Sequence, residues 1–189
     1  MVVCEGEKTE VNYFEEIRQE SKLPTVHVRI IQSPLGTEPQ QIVEGAEAEF
    51  LKSKRYERIF VVFDRDQHRT YADAIKMAEA RNRRYRNDEN RFVSFKAIVS
   101  VPCFELRLLL HFTNILAPMH RDEALAKLKK QLIGYEKGNA GTYAATLPNL
   151  DAATKRAAVL KQRFSRLPGI EAYTDVHELV GFMKTLKSK

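Results

Sequence analysis

Three carboxylates stand where an α/β protein could hold a cation: Glu5, Asp64 and Asp66. Glu5 directly follows the apolar run Met1-Val2-Val3-Cys4. Asp64 and Asp66 directly follow a second run, Arg58-Ile-Phe-Val-Val-Phe63. If both runs are parallel strands of one sheet, their carboxyl ends share an edge, and ligands bind at that edge in open α/β sheets. The two-residue spacing lets Asp64 and Asp66 approach one ion where the chain bends. Three carboxylates packed together repel one another unless a cation neutralises them. Oxygen-only donors suit Mg²⁺ or Mn²⁺, and such an ion can hold a phosphate and activate a water. A D-x-D alone is an ordinary loop opening. Joined to a Glu-Gly after another core strand, it points to a metal site.

Further residues lie close to these in sequence or at comparable places. Gly6 permits a tight turn after the first strand. Lys8 then sits at a helix entrance, where backbone N–H groups and the helix dipole already favour anions. Glu10 reads either as a further metal ligand or as a favourable first-turn acid. Glu105 falls in the first turn of an apolar helix just beyond a strand. Buried there without a partner it would be costly, so a cation, Arg107 or the metal should face it. His111 follows Arg107 by four residues and shares its face; it reads as a core histidine or as a catalytic one. Tyr135 and Lys137 combine an aromatic ring and a cation in a flexible segment. They suit phosphate or base contacts, or an ordinary polar loop. Arg81, Arg83, Arg84 and Arg86 follow closely in one predicted helix, as a basic patch for nucleic acid or a solvated helix end.

The elements that must position these groups alternate. Strands are predicted at Met1–Cys4, Val26–Gln32, Arg58–Phe63 and Phe92–Val101. The second carries Val26, Val28 and Ile30 on one face. The third is apolar throughout, as a strand covered on both faces should be. A helix capped by Thr9 runs through Val11, Phe14 and Ile17. A second, opened by Thr37 and Pro39, carries a stripe of Ile42, Val43, Ala46, Phe50 and Leu51. A third, strongly charged, runs from Thr70 to about Arg86. Pro102 is placed to start a helix over Glu105–Phe112, and two later helices are predicted at about Asp151–Arg166 and Asp175–Lys187. Gly134–Leu147, rich in Gly, Asn and Tyr, reads as a loop with side chains available for function. The order β-α-β-α-β-α-β predicts an α/β fold, a mainly parallel sheet flanked by helices, with a C-terminal helical extension. Residues 1–112 are expected to form the core and 113–189 the extension, packed on it as one unit.

The chain has 189 residues, 43% hydrophobic and 30% charged. No apolar run reaches the ~18 residues of a membrane span, and no signal-peptide or lipidation pattern is visible. Cys4 and Cys103 sit in apolar surroundings without C-x-x-C spacing, as small core residues of a reducing, cytoplasmic protein do. The net charge of +6 is modest support for a polyanionic partner.

The runs EGEKTEVNYF, FDRD, VPCFELRLLLHF and YEK, in that order, resemble the RloB-like family. The likeness extends from Cys4 to the helix holding His177-Glu-Leu-Val180. That family is associated with restriction-modification and phage-defence loci and is itself similar to Toprim domains. In those, a Glu after the first strand and a D-x-D after a later one bind Mg²⁺. The resemblance therefore implies that Glu5, Asp64 and Asp66 hold the ion, with Glu5 a general acid or base. It leaves open the roles of Lys8, Glu10, Glu105, His111 and Lys137. Arg107 departs from the pattern, standing where the family is expected to carry an aromatic, often Trp.

The expectation is a Mg²⁺-dependent (or Mn²⁺-dependent) nuclease acting on DNA or RNA in antiviral defence. Glu5, Lys8, Asp64 and Asp66 would be catalytic. Lys8, Glu105, His111, Tyr135 and Lys137 would meet the substrate. The alternative is a non-catalytic module that binds nucleic acid or a nucleotide through its metal and works with a partner protein from the same locus. A homo-oligomer fits either reading. Nucleotidyl transfer at the same site is a third reading, but the sequence contains no P-loop.

Overall fold

A computed structural model describes residues 1–164 and 172–186. The chain runs β1 (Val2–Cys4), α1 (Thr9–Glu20), β2 (Ile30–Gln32), α2 (Pro39–Ser53), β3 (Arg58–Asp64), α3 (Tyr71–Arg81) and β4 (Ser94–Val101). Then follow α4 (Phe104–Leu109), α5 (Arg121–Gln131), α6 (Thr142–Thr146), a 3-10 turn (Leu147–Asn149), α7 (Leu150–Phe164), β5 (Tyr173–Thr174) and α8 (Val176–Leu186). The fold is α/β. Its sheet has the order β2-β1-β3-β4-β5, with β1 to β4 parallel and β5 antiparallel to β4.

Side-chain alternation along the strands sorts the core into two layers. Val2, Cys4, Phe60, Val62 and Ile98 point to the face covered by α1 and α8, against Phe14, Ile17, Leu179 and Met183. Val3, Ile59, Val61, Phe63 and Val99 point to the face covered by α2 and α3, against Ile42, Val43, Phe50 and Ala78. This is why the β3 run is apolar without interruption. A third cluster joins Leu106, Leu109 and Leu110 of the α4 region to Ala153, Ala157 and Leu160 of α7. Among the described residues no helix is long and apolar enough to cross a membrane.

Several elements differ from expectation. β2 keeps only the end of the run predicted from Val26, because the N–H groups of His27 and Val28 both donate to the Pro24 carbonyl and coil the chain. Val26 is left 62% exposed. Leu51, assigned to the buried stripe of α2, is 45% exposed. Lys8, not Thr9, occupies the N-cap of α1. α3 stops at Arg81, so the four arginines do not share a helix. Instead Arg83 takes a left-handed turn (φ 60°), Arg86 bridges to Phe92, and both guanidiniums stack on the Phe92 ring at 5.3 and 3.9 Å. The helix after Pro102 covers Phe104–Leu109 only, and the Val101–Pro102 bond is cis. The Gly134–Leu147 segment contains α6. α5 was not foreseen because its buried residues are only Ala124 and Leu128, too few for a clear apolar stripe. β5 is too short to show a period. The predicted ends of the last two helices, Arg166 and Lys187, lie outside the described residues.

Candidate functional site

Because β1, β3 and β4 are parallel neighbours, their carboxyl ends lie at one edge. Glu5 leaves β1 with its N–H on the Val62 carbonyl at 2.9 Å. Its carboxylate returns to the adjacent strand end, where Oε2 accepts from the Asp64 N–H at 2.8 Å. Asp64 closes β3 and is buried; its Oδ2 accepts from the Phe104 N–H, the first residue of α4, at 2.9 Å. The chain then bends sharply. Asp66 adopts a left-handed conformation (φ 42°), which Asp tolerates better than most residues. The Asp66 N–H donates to the Pro102 carbonyl at 3.0 Å. One backbone bend therefore serves both the spacing of the D-x-D and the path from β4 into α4.

Two further acids join from the helices. Glu10, in the first turn of α1, is buried and rests on Gly6. A β-carbon at Gly6 would lie 1.9 Å from the Glu10 Oε2, so a larger residue there would push the Glu10 carboxylate out of its present place. Glu105, in the first turn of α4, is also buried, and its Oε1 meets Lys137 Nζ at 2.9 Å and the Tyr135 hydroxyl at 3.3 Å. The loop carrying those residues is fastened to α1. The Gly138 N–H donates to Thr9 Oγ1 at 2.9 Å, and Asn12 Nδ2 donates to the Gly138 carbonyl at 2.8 Å.

The acids repel one another through low-dielectric surroundings. Burial pushes Glu10 up to about 7, and the charges of Glu5 and Glu105 add to the push. Burial raises Asp64 well above the carboxylate range, with Glu10 and Glu5 again contributing. Glu5 is raised by burial, against the pull of the Asp64 N–H and His68. Glu105 goes the other way. Burial raises it, but the Lys137 hydrogen bond and charge win, and its pKa falls.

Three basic side chains stand around this group. Lys137 pairs with Glu105, Arg121 with Asp66 Oδ2, and His68 with Glu5 Oε1 at 3.2 Å. His68 also reaches Glu38, at 3.2 Å. Among the described residues, no group of three or more His, Cys, Asp or Glu side chains is already arranged to hold a metal ion. The donor chemistry nevertheless fits a hard cation. The groups are carboxylate oxygens, burial and then mutual repulsion make the central ones hard to ionise, and Asp66 Oδ1 is buried without a hydrogen-bond partner among the described residues.

The structure brings Glu5, Asp64, Asp66, Glu105, Tyr135 and Lys137 to this edge. Lys8 is exposed at the entrance of α1, its stem against Gly138. His111 is directed elsewhere. It is buried behind α4, with Nδ1 on the carbonyls of Leu108 and Arg107 at 3.1 and 3.2 Å. Burial, then the Arg107 charge, lowers its pKa to about 4. Nor does Arg107 meet Glu105, whose partner is Lys137. His68 and Arg121 were not read from the sequence. His68 follows Asp64 by four residues in the same post-strand segment, a signal that could have singled it out. Arg121 opens the unforeseen α5 and carried no signal. A groove of about 1190 Å³, lined by Met1, Arg58, Phe60, Leu179 and Phe182 among others, opens near the strand starts, away from this chemistry.

Compared with known proteins, residues 1–183 match the family model described as RloB-like protein. No curated protein and no solved structure matches the chain.

Proposed function

Starting from a chain that belongs to the RloB-like protein family, we propose that it is a Mg²⁺-dependent (or Mn²⁺-dependent) nuclease hydrolysing phosphodiesters of DNA or RNA. The observation that carries this reading is the gathering of Glu5, Glu10, Asp64 and Glu105 at one sheet edge, where burial and the neighbouring carboxylates make Glu10 and Asp64 hard to ionise. Glu5, Asp64 and Asp66 would hold the ion. When bound, it would neutralise the scissile phosphate and supply a hydroxide near neutral pH. Lys137 and Lys8 flank the acids and would meet phosphate oxygens. Glu10, ionising near neutral pH, is suited to accept or return a proton. His68 and Arg121 hold Glu5 and Asp66 in place and would yield as the ion and substrate enter. The family resemblance supports a Toprim-like ancestry for this site and a place in cytoplasmic phage defence beside a partner protein.

A second reading is favoured by the same ion pairs. Arg121 and His68 each occupy an acid that the ion would use, and Lys137 occupies Glu105 beside them. A site so filled suits a module that binds nucleic acid or a nucleotide without turning it over. Divalent-dependent cleavage of single- and double-stranded DNA and RNA separates the two. Cleavage by the parent chain that Glu5→Gln and Asp64→Asn abolish, with folding intact, supports the nuclease. Full activity in either variant would overturn the site. Mn²⁺ binding lost in the Asp64→Ala/Asp66→Ala variant, without turnover in the parent, would move the reading to the module.

A further inference from the structure

The strand starts, at the opposite end of the sheet from the acids, carry arginines that face no acid. Arg81 pairs with Glu47, and Arg91 pairs with Glu57 and Glu89. Arg58, Arg83, Arg84 and Arg86 have no acidic partner among the described residues and lie over aromatic rings instead. Arg58 sits over Phe182 at 4.7 Å, Arg83 and Arg86 over Phe92 at 5.3 and 3.9 Å, and Arg84 over Tyr85 at 5.6 Å. All four residues are exposed. Stacking fixes the plane of a guanidinium and leaves its N–H groups in that plane, where they can fork onto a phosphate. Arg86 commits only Nη1, to the Asn90 carbonyl at 2.6 Å. The frame beneath is tightly bonded. The Arg83 N–H donates to the Val93 carbonyl and the Val93 N–H to the Tyr85 carbonyl, both at 2.9 Å. Buried Asn87 closes the turn, its Oδ1 accepting from the Arg91 N–H at 2.8 Å.

This turn abuts the segment that leads into β3. The Asp88 N–H donates to the Lys54 carbonyl at 2.9 Å, and the Ser94 N–H to the Glu57 carbonyl at 2.8 Å. Residues 55–58 of that segment line the groove of about 1190 Å³. Its floor is apolar, with Leu23, Phe60, Leu179 and Met183 buried along it. Its charged side chains are Lys22, Arg55, Arg58 and Glu57, and the one acid is already held by Arg91 at 2.8 Å. A cationic rim over an apolar floor matches a polymer with phosphates outside and bases turned inward. A single strand offers that; a duplex keeps its bases stacked within itself.

We infer that Arg83, Arg84 and Arg86, with Arg55 and Arg58 beside the groove, bind the backbone of single-stranded nucleic acid, whose unpaired bases lie in the groove. The choice of polymer rests on the nucleic-acid reading of the acidic edge, but no residue is shared with that edge. Arg58 and Asp64 are the two ends of the seven-residue β3, so the anchor stands ~20 Å from the acids. It holds the strand without a divalent ion.

The test is fluorescence anisotropy of the full chain with a labelled single strand of about 20 nucleotides, longer than the ~4–16 that a stacking groove covers. The strand is offered as DNA and as RNA, in chelator, over a salt series. The matching duplex and polyglutamate serve as competitors. We expect the single strand to bind at least ~10-fold more tightly than the duplex. Each lost phosphate contact lowers the slope of log affinity against log salt by about 0.7. Arg83→Gln/Arg84→Gln/Arg86→Gln should therefore lower it by about 2, and Arg55→Gln/Arg58→Gln by about 1.4. Arg83→Lys/Arg84→Lys/Arg86→Lys keeps the charge and the slope but loses the stacked fork, and should weaken binding at least ~5-fold. Circular dichroism checks that these surface variants fold. An unchanged slope in either glutamine variant, lysines that bind as well as the arginines, or a duplex bound as tightly as the single strand overturns the surface. So does a parent that binds no strand, or polyglutamate that displaces as well as unlabelled strand. Glu5→Gln/Asp64→Asn should bind no more weakly than the parent. Binding without cleavage when divalent ion is restored sinks the nuclease alone, and cleavage without binding in chelator sinks this surface alone.

Discussion

Replacing Glu10 by Gln should stabilise the protein, although it removes an acid from a helix N-terminus. Glu10 titrates near 4.5 in an unfolded chain and about 7 in the folded one, chiefly because it is buried. Between those values the folded chain holds a proton that the unfolded chain has released. Stability therefore falls as pH rises through that window and levels off above it. At 1.36 kcal/mol per pKa unit, the penalty at pH 8 is about 3 kcal/mol. Against it stands the interaction of a first-turn carboxylate with the helix dipole, ~0.3–1 kcal/mol. Gln has the same shape and packs on Gly6 without charge. The net gain for Glu10→Gln at pH 8 is thus about 2 kcal/mol, or about 4–8 °C in melting midpoint for a chain of this size. At pH 5 folded Glu10 is protonated, and the advantage shrinks to under about 1 kcal/mol. Urea denaturation of parent and variant in chelator, at pH 5 and pH 8, measures both numbers. A variant less stable than the parent at pH 8 would refute the reasoning. So would an advantage that is the same at both pH values, since it would then come from packing and not from charge.

Two other perturbations probe the neighbouring buried charges. Lys137→Met leaves Glu105 buried without its ion pair and should cost about 2 kcal/mol, below the range for a fully buried pair because the lysine is half exposed. Glu105→Gln on that background should recover at least half, read by urea denaturation at pH 7; no recovery would mean that the lysine stem, not its charge, matters. His111 is held neutral, its folded pKa lowered to about 4 from 6.5. Its contribution is complete above pH 6.5 and is lost as pH falls towards 4, by up to about 3 kcal/mol. His111→Asn should therefore flatten the stability profile between pH 6.5 and 4.5, and an unchanged slope would place the acid sensitivity in another group.

The order of elements and the acidic edge were legible because both rest on local rules. Arg58–Phe63 is apolar at every position after the first, and only a strand covered on both faces requires that. Glu5 and Asp64 directly follow such runs, so parallel pairing alone carries them to one edge. The apolar runs at Met1–Cys4 and Phe92–Val101 likewise place β1 and β4 within two residues of their ends. The failures fall where a non-local contact overrides a local preference. Carbonyl capture by Pro24 shortens β2, and the turn at Arg83 ends α3 and stacks two arginines on Phe92. Two residues of β5 suffice as a strand only because β4 offers them an edge. Sequence alone could present Glu105 with three candidate partners; tertiary packing chose Lys137, by folding the Tyr135–Gly138 loop back onto α1. Nor could spacing reveal that His68 and Arg121 would reach Glu5 and Asp66. Periodicity determines which face of an element is buried. What that face is buried against depends on residues far away in the chain, and the electrostatics of the acidic edge follow from that choice.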